Sequence, residues 1–367
     1  MREAAPTRGT GGGRDLRLDA LRGFFLAVMA GVHVPTPLSR WLHEPFGYLS
    51  AAEGFVFLGA CLAGLVFGKI GRREGARAMR ARVFARVRRI YQTHLALVLA
   101  AVLLAWWLAR WVRPLAYHFH PFLMHPLESL ALIPLLLHQP PLFDILPLYV
   151  LFLGLTPWWL GIAARRGWTP VLAVSAGVWL VAQFHPFGAP LRALGDRVPL
   201  ELGSFNVLAW QLLWILGLAF GDTIARDPGA LARHRRRVLV PALVLVVAGV
   251  VLRHRLGLQP AALPNLPFWT SKWRLGPLRL LNSLAWAAFL WSWNPHPPNR
   301  WIAPTALLGR RSLAIFAAHI PLAIAATSVL QLHPVGEAAS TAIGFAVIAA
   351  LFVLAWWLDW RERPRAS

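Results

Sequence analysis

Ten runs of about 17 to 22 mostly apolar residues narrow the folds open to this chain more than any other feature. They lie at 18–38, 51–69, 90–110, 142–163, 168–184, 205–224, 238–256, 277–293, 312–331 and 338–358. About 20 such residues cross the hydrocarbon core of a bilayer as a helix. Backbone amides inside lipid find no water, so a chain with many such runs forms helices that satisfy their own hydrogen bonds. Composition agrees: 57% of the 367 residues are hydrophobic and 14% are charged, whereas soluble domains carry about 25% charged residues. The expected fold is all-α, a polytopic membrane protein of about ten transmembrane helices. A further apolar run at 127–137, bracketed by His125-Pro126 and Pro140-Pro141, reads as re-entrant or interfacial.

Charge sets the orientation. The net charge is +22, carried almost wholly by arginine, since Lys69 and Lys272 are the two lysines. With the N-terminus inside, 27 of the 37 cations fall on inner segments, nine of them in 69–91. Cytoplasmic loops hold such an excess, which places both termini in the cytoplasm. Arginine runs between apolar stretches, with no zinc-finger or helix-turn-helix pattern, exclude nucleic acid as the expected partner and leave the lipid bilayer. Residues 1–13 read as a disordered cytoplasmic tail, 14–360 as one membrane domain and 361–367 as a second tail. Cys61 stands alone in an apolar run and offers neither a disulfide nor a thiolate metal site. His118, His120 and His125 lack a carboxylate or further histidine at ligand spacing, so no metal is expected.

Ionisable groups inside spans mark function by default. His33 lies eleven residues beyond Arg22, about 16 Å along a helix. That places Arg22 at the inner boundary and His33 near mid-membrane, where imidazole can either bond a neighbouring helix or take a proton. The entry Arg14-Asp15-Leu16-Arg17-Leu18-Asp19-Ala20-Leu21-Arg22 has two open readings. Arg14, Arg17 and Arg22 anchor the inner face, or they form a forked-donor site for phosphate. Glu53 opens the second span from the outer side, within reach of His33 in depth, where it either caps a helix or orients the imidazole. Asp144, Gln211, Lys272 and Arg279 gather toward the same outer face as end-caps or as parts of a polar site.

Several of these segments resemble one family. Arg14-Asp15-Leu16-Arg17-Leu18-Asp19 through Arg22-Gly23, then His33-Val34-Pro35 and Ala51-Ala52-Glu53-Gly54-Phe55-Val56-Phe57, are similar to the OpgC proteins. Asp144-Ile145-Leu146-Pro147-Leu148-Tyr149-Val150, Ala209-Trp210-Gln211-Leu212-Leu213 and Leu275-Gly276-Pro277-Leu278-Arg279 extend the resemblance over nearly the whole chain from residue 14. Those proteins group with acyltransferase-3-like membrane enzymes, in which an arginine and a histidine separated by ten residues mark the first helix, as Arg22 and His33 do here. The resemblance implies a ten-span inner-membrane acyltransferase. Its activity would be succinyl transfer from a cytoplasmic acyl-CoA co-substrate, with no permanently bound cofactor, onto a periplasmic glucan or other saccharide. His33 would then be the base and Glu53 its orienting carboxylate, with the arginines on the donor phosphates and Lys272 or Arg279 as the candidate partner of a succinyl carboxylate. A saccharide transporter or flippase is the alternative class; paired broken helices and internal repeats, its usual signs, are not evident.

Overall fold

The computed structural model describes residues 15–184, 198–227, 229, 233–254 and 266–363. Arg14, Asp196 and Arg197 lie outside them, as do the expected tail at 1–13 and most of the one at 361–367. Among the described residues the structure is helical, with one isolated bridge between His138 and Glu201.

Helix α1 (Leu16–Val32) starts where the Asp15 side chain accepts from the Arg17 amide and stops at His33. The expected first span, 18–38, is therefore shorter: Pro35 and Pro37 end it, and Pro37 opens the short α2 (Pro37–Leu42). His33 caps α1 instead of lying inside a longer helix.

Helix α3 (Ala51–Leu108) begins with a capping box between Ser50 and Glu53 and holds two of the expected spans, with Gly75 between them at φ 86°, ψ 167°. Glu74 pairs with Arg82 at 2.6 Å, and a Cβ placed on Gly71 would lie 3.8 Å from Met79. Residues eight apart on a straight helix are about 12 Å apart, so the chain turns back at Gly75. The arginine segment 69–91, expected as a loop, is instead the helical tip of a hairpin with arms 51–74 and 76–108. Good helix formers carry the helix through it, and the reversal rests on one glycine. Gly75→Val is expected to destabilise the protein by about 1–3 kcal/mol. Nothing lies within 4 Å of the added Cβ, so the cost is backbone strain alone. Thermal unfolding in detergent checks this, and an unchanged midpoint would contradict it.

Three short helices follow, α4 (Arg113–His118), α5 (His120–Met124) and α6 (Pro126–Leu132), each with proline in its first two positions. Helices α7 (Ile145–Arg166), α8 (Trp168–Gln183), α9 (Val207–Arg226) and α10 (Arg235–His254) come next. The chain continues through α11 (Leu266–Thr270), α12 (Pro277–Trp293), α13 (Asn299–Arg310), α14 (Ser312–Leu332) and α15 (Glu337–Arg361). Each of the ten expected runs falls on a helix. Among the described residues six helices are long and apolar enough to cross a membrane: α3, α7, α9, α10, α14 and α15. Helices α1, α8 and α12 have 16 or 17 residues, at the short end of the spanning range of about 17–25.

Helix α9 is the centre of the packing, against α3 and α8, while α1 rests on α13 and α3. Trp210 and Trp214 of α9 are fully buried and their indole N–H groups donate to Lys272 O and Thr156 Oγ1, both at 3.1 Å. At the far end of α9, buried Asp222 accepts from Arg72, from Arg226 at 2.7 Å and from the Trp168 indole at 3.0 Å. One carboxylate thus ties α3, α8 and α9 together. Helices α1 and α13 touch backbone to backbone. A Cβ on Gly309 would fall 1.8 Å from Asp19 O, and this contact fixes where α1, and with it His33, can sit.

Candidate active site

A cavity of about 160 Å³ lies at the C-terminal end of α1, bordered by His33, Glu44, Ser50, Asp144, Lys272 and Trp273 among others. His33 is half-buried there. Its Nδ1 is 3.1 Å from His319 Nε2, and the two rings stack with centroids 5.2 Å apart. His319, on α14, is 1% exposed. Its Nδ1 meets the carbonyl of Phe316, which can only accept, so His319 carries its proton on Nδ1. His319 Nε2 is then an acceptor, His33 donates from Nδ1, and His33 Nε2 keeps its lone pair. A neutral imidazole with a bare nitrogen at a cavity wall can take a proton.

Glu53 is not the group that orients this ring. Its Oε2 accepts from the Ser50 amide at 2.9 Å and from the Ser50 hydroxyl, and its Oε1 accepts from Arg279 Nη1 at 3.1 Å. Both oxygens are occupied by the start of α3 and by α12, and His319 stands where the carboxylate was expected.

Arg279 is likewise held by the protein. It is 3% exposed and donates to Glu44 at 2.6 Å, to Glu53, and to the carbonyls of Thr270 and Tyr48 at 2.9 and 3.1 Å. Glu44 also accepts from Arg253 at 3.0 Å. Burial pushes the Glu44 carboxyl up, but Arg279 and Arg253 outweigh it and hold the group below the usual carboxylate range. Arg279 is therefore a keystone under the cavity and not a substrate ligand: its donors already have acceptors.

The other expected residues divide. Asp144 borders the cavity and accepts from the Ser204 amide at 2.9 Å. Gln211 exchanges hydrogen bonds with Ser175, at 2.7 Å to the hydroxyl and 2.8 Å to the carbonyl. It joins α9 to α8 and is not part of the cavity wall. Lys272 borders the cavity, with its ammonium 5.3 Å from the centre of the Trp273 ring. Among the described residues no carboxylate lies within ion-pair distance of it. At the N-terminal end of α1, Arg17 binds Asp15 at 2.9 Å and Asn294 at 2.8 Å, which tethers the start of α1 to the segment after α12. Arg22 donates to the Ser312 hydroxyl and lies 4.0 Å from Asp19.

Sequence reasoning missed three residues here. His319 had a usable signal, since it is ionisable and interrupts an apolar run as His33 does. Arg86, half-buried on the second arm of α3, lies within electrostatic reach of Arg22 and Arg89. Nothing in the spacing separates it from the other cations of 69–91. Glu44 gave no signal, because its two arginine partners come from sequence positions more than 200 residues away. Among the described residues no group of three or more His, Cys, Asp or Glu could hold a metal ion.

The sequence model of one family, described as "OpgC protein", matches residues 14–363, essentially the whole chain. No curated protein and no solved structure matches it.

Proposed function

The chain belongs to the OpgC family, and on that premise we propose that it is a ten-span inner-membrane O-acyltransferase. It moves an acyl group, succinyl in our reading, from a cytoplasmic acyl-CoA to a hydroxyl of a periplasmic glucan or other saccharide. The observation that carries this is His33: a histidine with Nδ1 engaged and Nε2 open, at the wall of a cavity, one short helix away from Arg22. An arginine site near the second turn of α1 and a base at its C-terminal end suit a donor whose charged end cannot enter lipid. The CoA pantetheine arm is thin and long enough to cover the roughly 16 Å between them.

On the inner side Arg22, Arg86 and Arg89 supply guanidinium groups for the donor phosphates. Arg17 already serves Asp15 and Asn294. At the cavity, the acceptor hydroxyl gives its proton to His33 Nε2 as its oxygen attacks the thioester carbon. The C–S bond then breaks, and the thiolate recovers the proton from the same nitrogen. No base besides His33 is needed.

Sidedness tests the reading. Vesicles of uniform orientation should modify an outside saccharide, with release of CoA thiol, when acyl-CoA is supplied on the cytoplasmic face. Equal product with donor and acceptor both outside would sink it.

Lys272 supports the dicarboxylic choice. Its neighbours Arg253 and Arg279 are bound to Glu44, and Arg274 donates to the Gln183 carbonyl at 3.4 Å. The ammonium is thus the cation at this wall left to receive a carboxylate. Lys272→Gln is expected to reduce the preference for succinyl-CoA over acetyl-CoA about 10- to 100-fold, the loss of one charged hydrogen bond. A variant with the same preference would remove Lys272 from acyl recognition.

A further inference from the structure

We propose that His319 is a positioning residue that fixes the tautomer of His33. This rests on the reading of His33 as the base and adds what makes it one.

An isolated neutral imidazole places its proton on either nitrogen, and only the form protonated at Nδ1 leaves Nε2 able to accept. In this chain the choice is made by a relay of three groups on two helices. The Phe316 carbonyl has no proton to give, which assigns the proton of His319 to Nδ1. His319 Nε2 must then accept, and the group 3.1 Å away is His33 Nδ1. Packing holds the relay in place. The Phe316 ring meets His319 edge-on, with centroids 4.8 Å apart, and the planes of the two histidine rings are 25° apart. Full burial of His319 leaves no water to offer the ring another partner. Of the carboxylates nearby, Glu44 and Glu53 are held by arginines and Asp144 accepts from the Ser204 amide; the group on His33 Nδ1 is the neutral His319. His319 touches neither donor nor acceptor in this scheme and acts through His33.

The test uses the full-length protein in nanodiscs, with ¹⁵N-labelled histidine and two variants. His319→Phe keeps an aromatic ring against Phe316 but has no acceptor, whereas His319→Gln retains a side-chain oxygen able to accept from His33. The ¹⁵N spectrum, with His33 assigned by its loss in His33→Ala, should show Nδ1 protonated and Nε2 bare in the wild type. In His319→Phe both tautomers should appear, and turnover should fall about 3- to 10-fold, in proportion to the share of His33 that carries its proton on Nε2, with the acyl-CoA KM within about twofold of wild type. His319→Gln should keep the wild-type tautomer and a turnover within about twofold of wild type.

A wild-type spectrum with His33 protonated at Nε2 would overturn the assignment even if neither variant folds. So would a His319→Phe protein with wild-type turnover. Equal losses in both variants with an unchanged His33 tautomer would reduce His319 to a packing role. A wild-type protein that releases thiol from no acyl-CoA would end the acyltransferase reading and leave the tautomer result standing, so the two failures are distinct.

Discussion

His33→Ala is expected to lower acyl transfer at least about 10²-fold, and up to about 10⁴-fold, the range over which a positioned general base contributes. The loss should fall on turnover, because Arg22, proposed to hold the donor phosphates, lies about 16 Å away along α1. Alanine suits a helix end in an apolar setting, so insertion should be normal. His319 Nε2 then loses its partner inside the protein, which costs about 1–3 kcal/mol and lowers the thermal midpoint without unfolding the chain. Rate and midpoint should be measured on the same preparation. A variant that keeps more than about a tenth of the rate would remove His33 as the base, whatever its stability.

Arg279→Ala should have the largest effect on the fold. It leaves Glu53, 0% exposed, without its cation, and Glu44, 4% exposed, with Arg253 alone. Removing one partner of a buried ion pair costs about 3–5 kcal/mol, because the remaining charge is unpaired and dry. It also releases the Tyr48 and Thr270 carbonyls, so the loop before α3 and the turn before α12 lose a common anchor. Arg279→Lys keeps the charge but not the planar fork of donors, and should recover only part of the loss. Thermal unfolding in detergent, or the yield of folded protein, reads the difference. If Arg279→Ala were as stable as wild type but altered in acyl selectivity, the substrate role read from sequence would be right and the keystone role wrong.

These two residues show what was legible in the sequence. Apolar run length exposed the helices, because lipid imposes the same requirement on every spanning segment. His33 stood out by the cost of an imidazole in such a run. Partner choice did not show. Glu53 could reach His33 in depth, yet Arg279, 226 residues away in sequence, binds it more strongly than a neutral ring would. Arg279 and Lys272 look alike as cations seven positions apart. Only the three-dimensional arrangement shows that one pairs with two carboxylates, while among the described residues none lies within ion-pair distance of the other. The reversal at Gly75 was hidden for a different reason: its flanks are good helix formers, and one glycine in a helical pattern does not announce a hairpin. His319 was legible by the rule that found His33, and a uniform application of that rule would have named both.

The histidine pair joins positions 286 apart, and this bears on when the protein becomes active during its own synthesis. His33 enters the membrane with the first helix, while its partner arrives with α14, after nearly all the rest has been made. Until then the ring has no fixed tautomer. On the proposed function, a growing or interrupted chain therefore has the arginines of α1 without a competent base, and turnover begins only with the completed bundle.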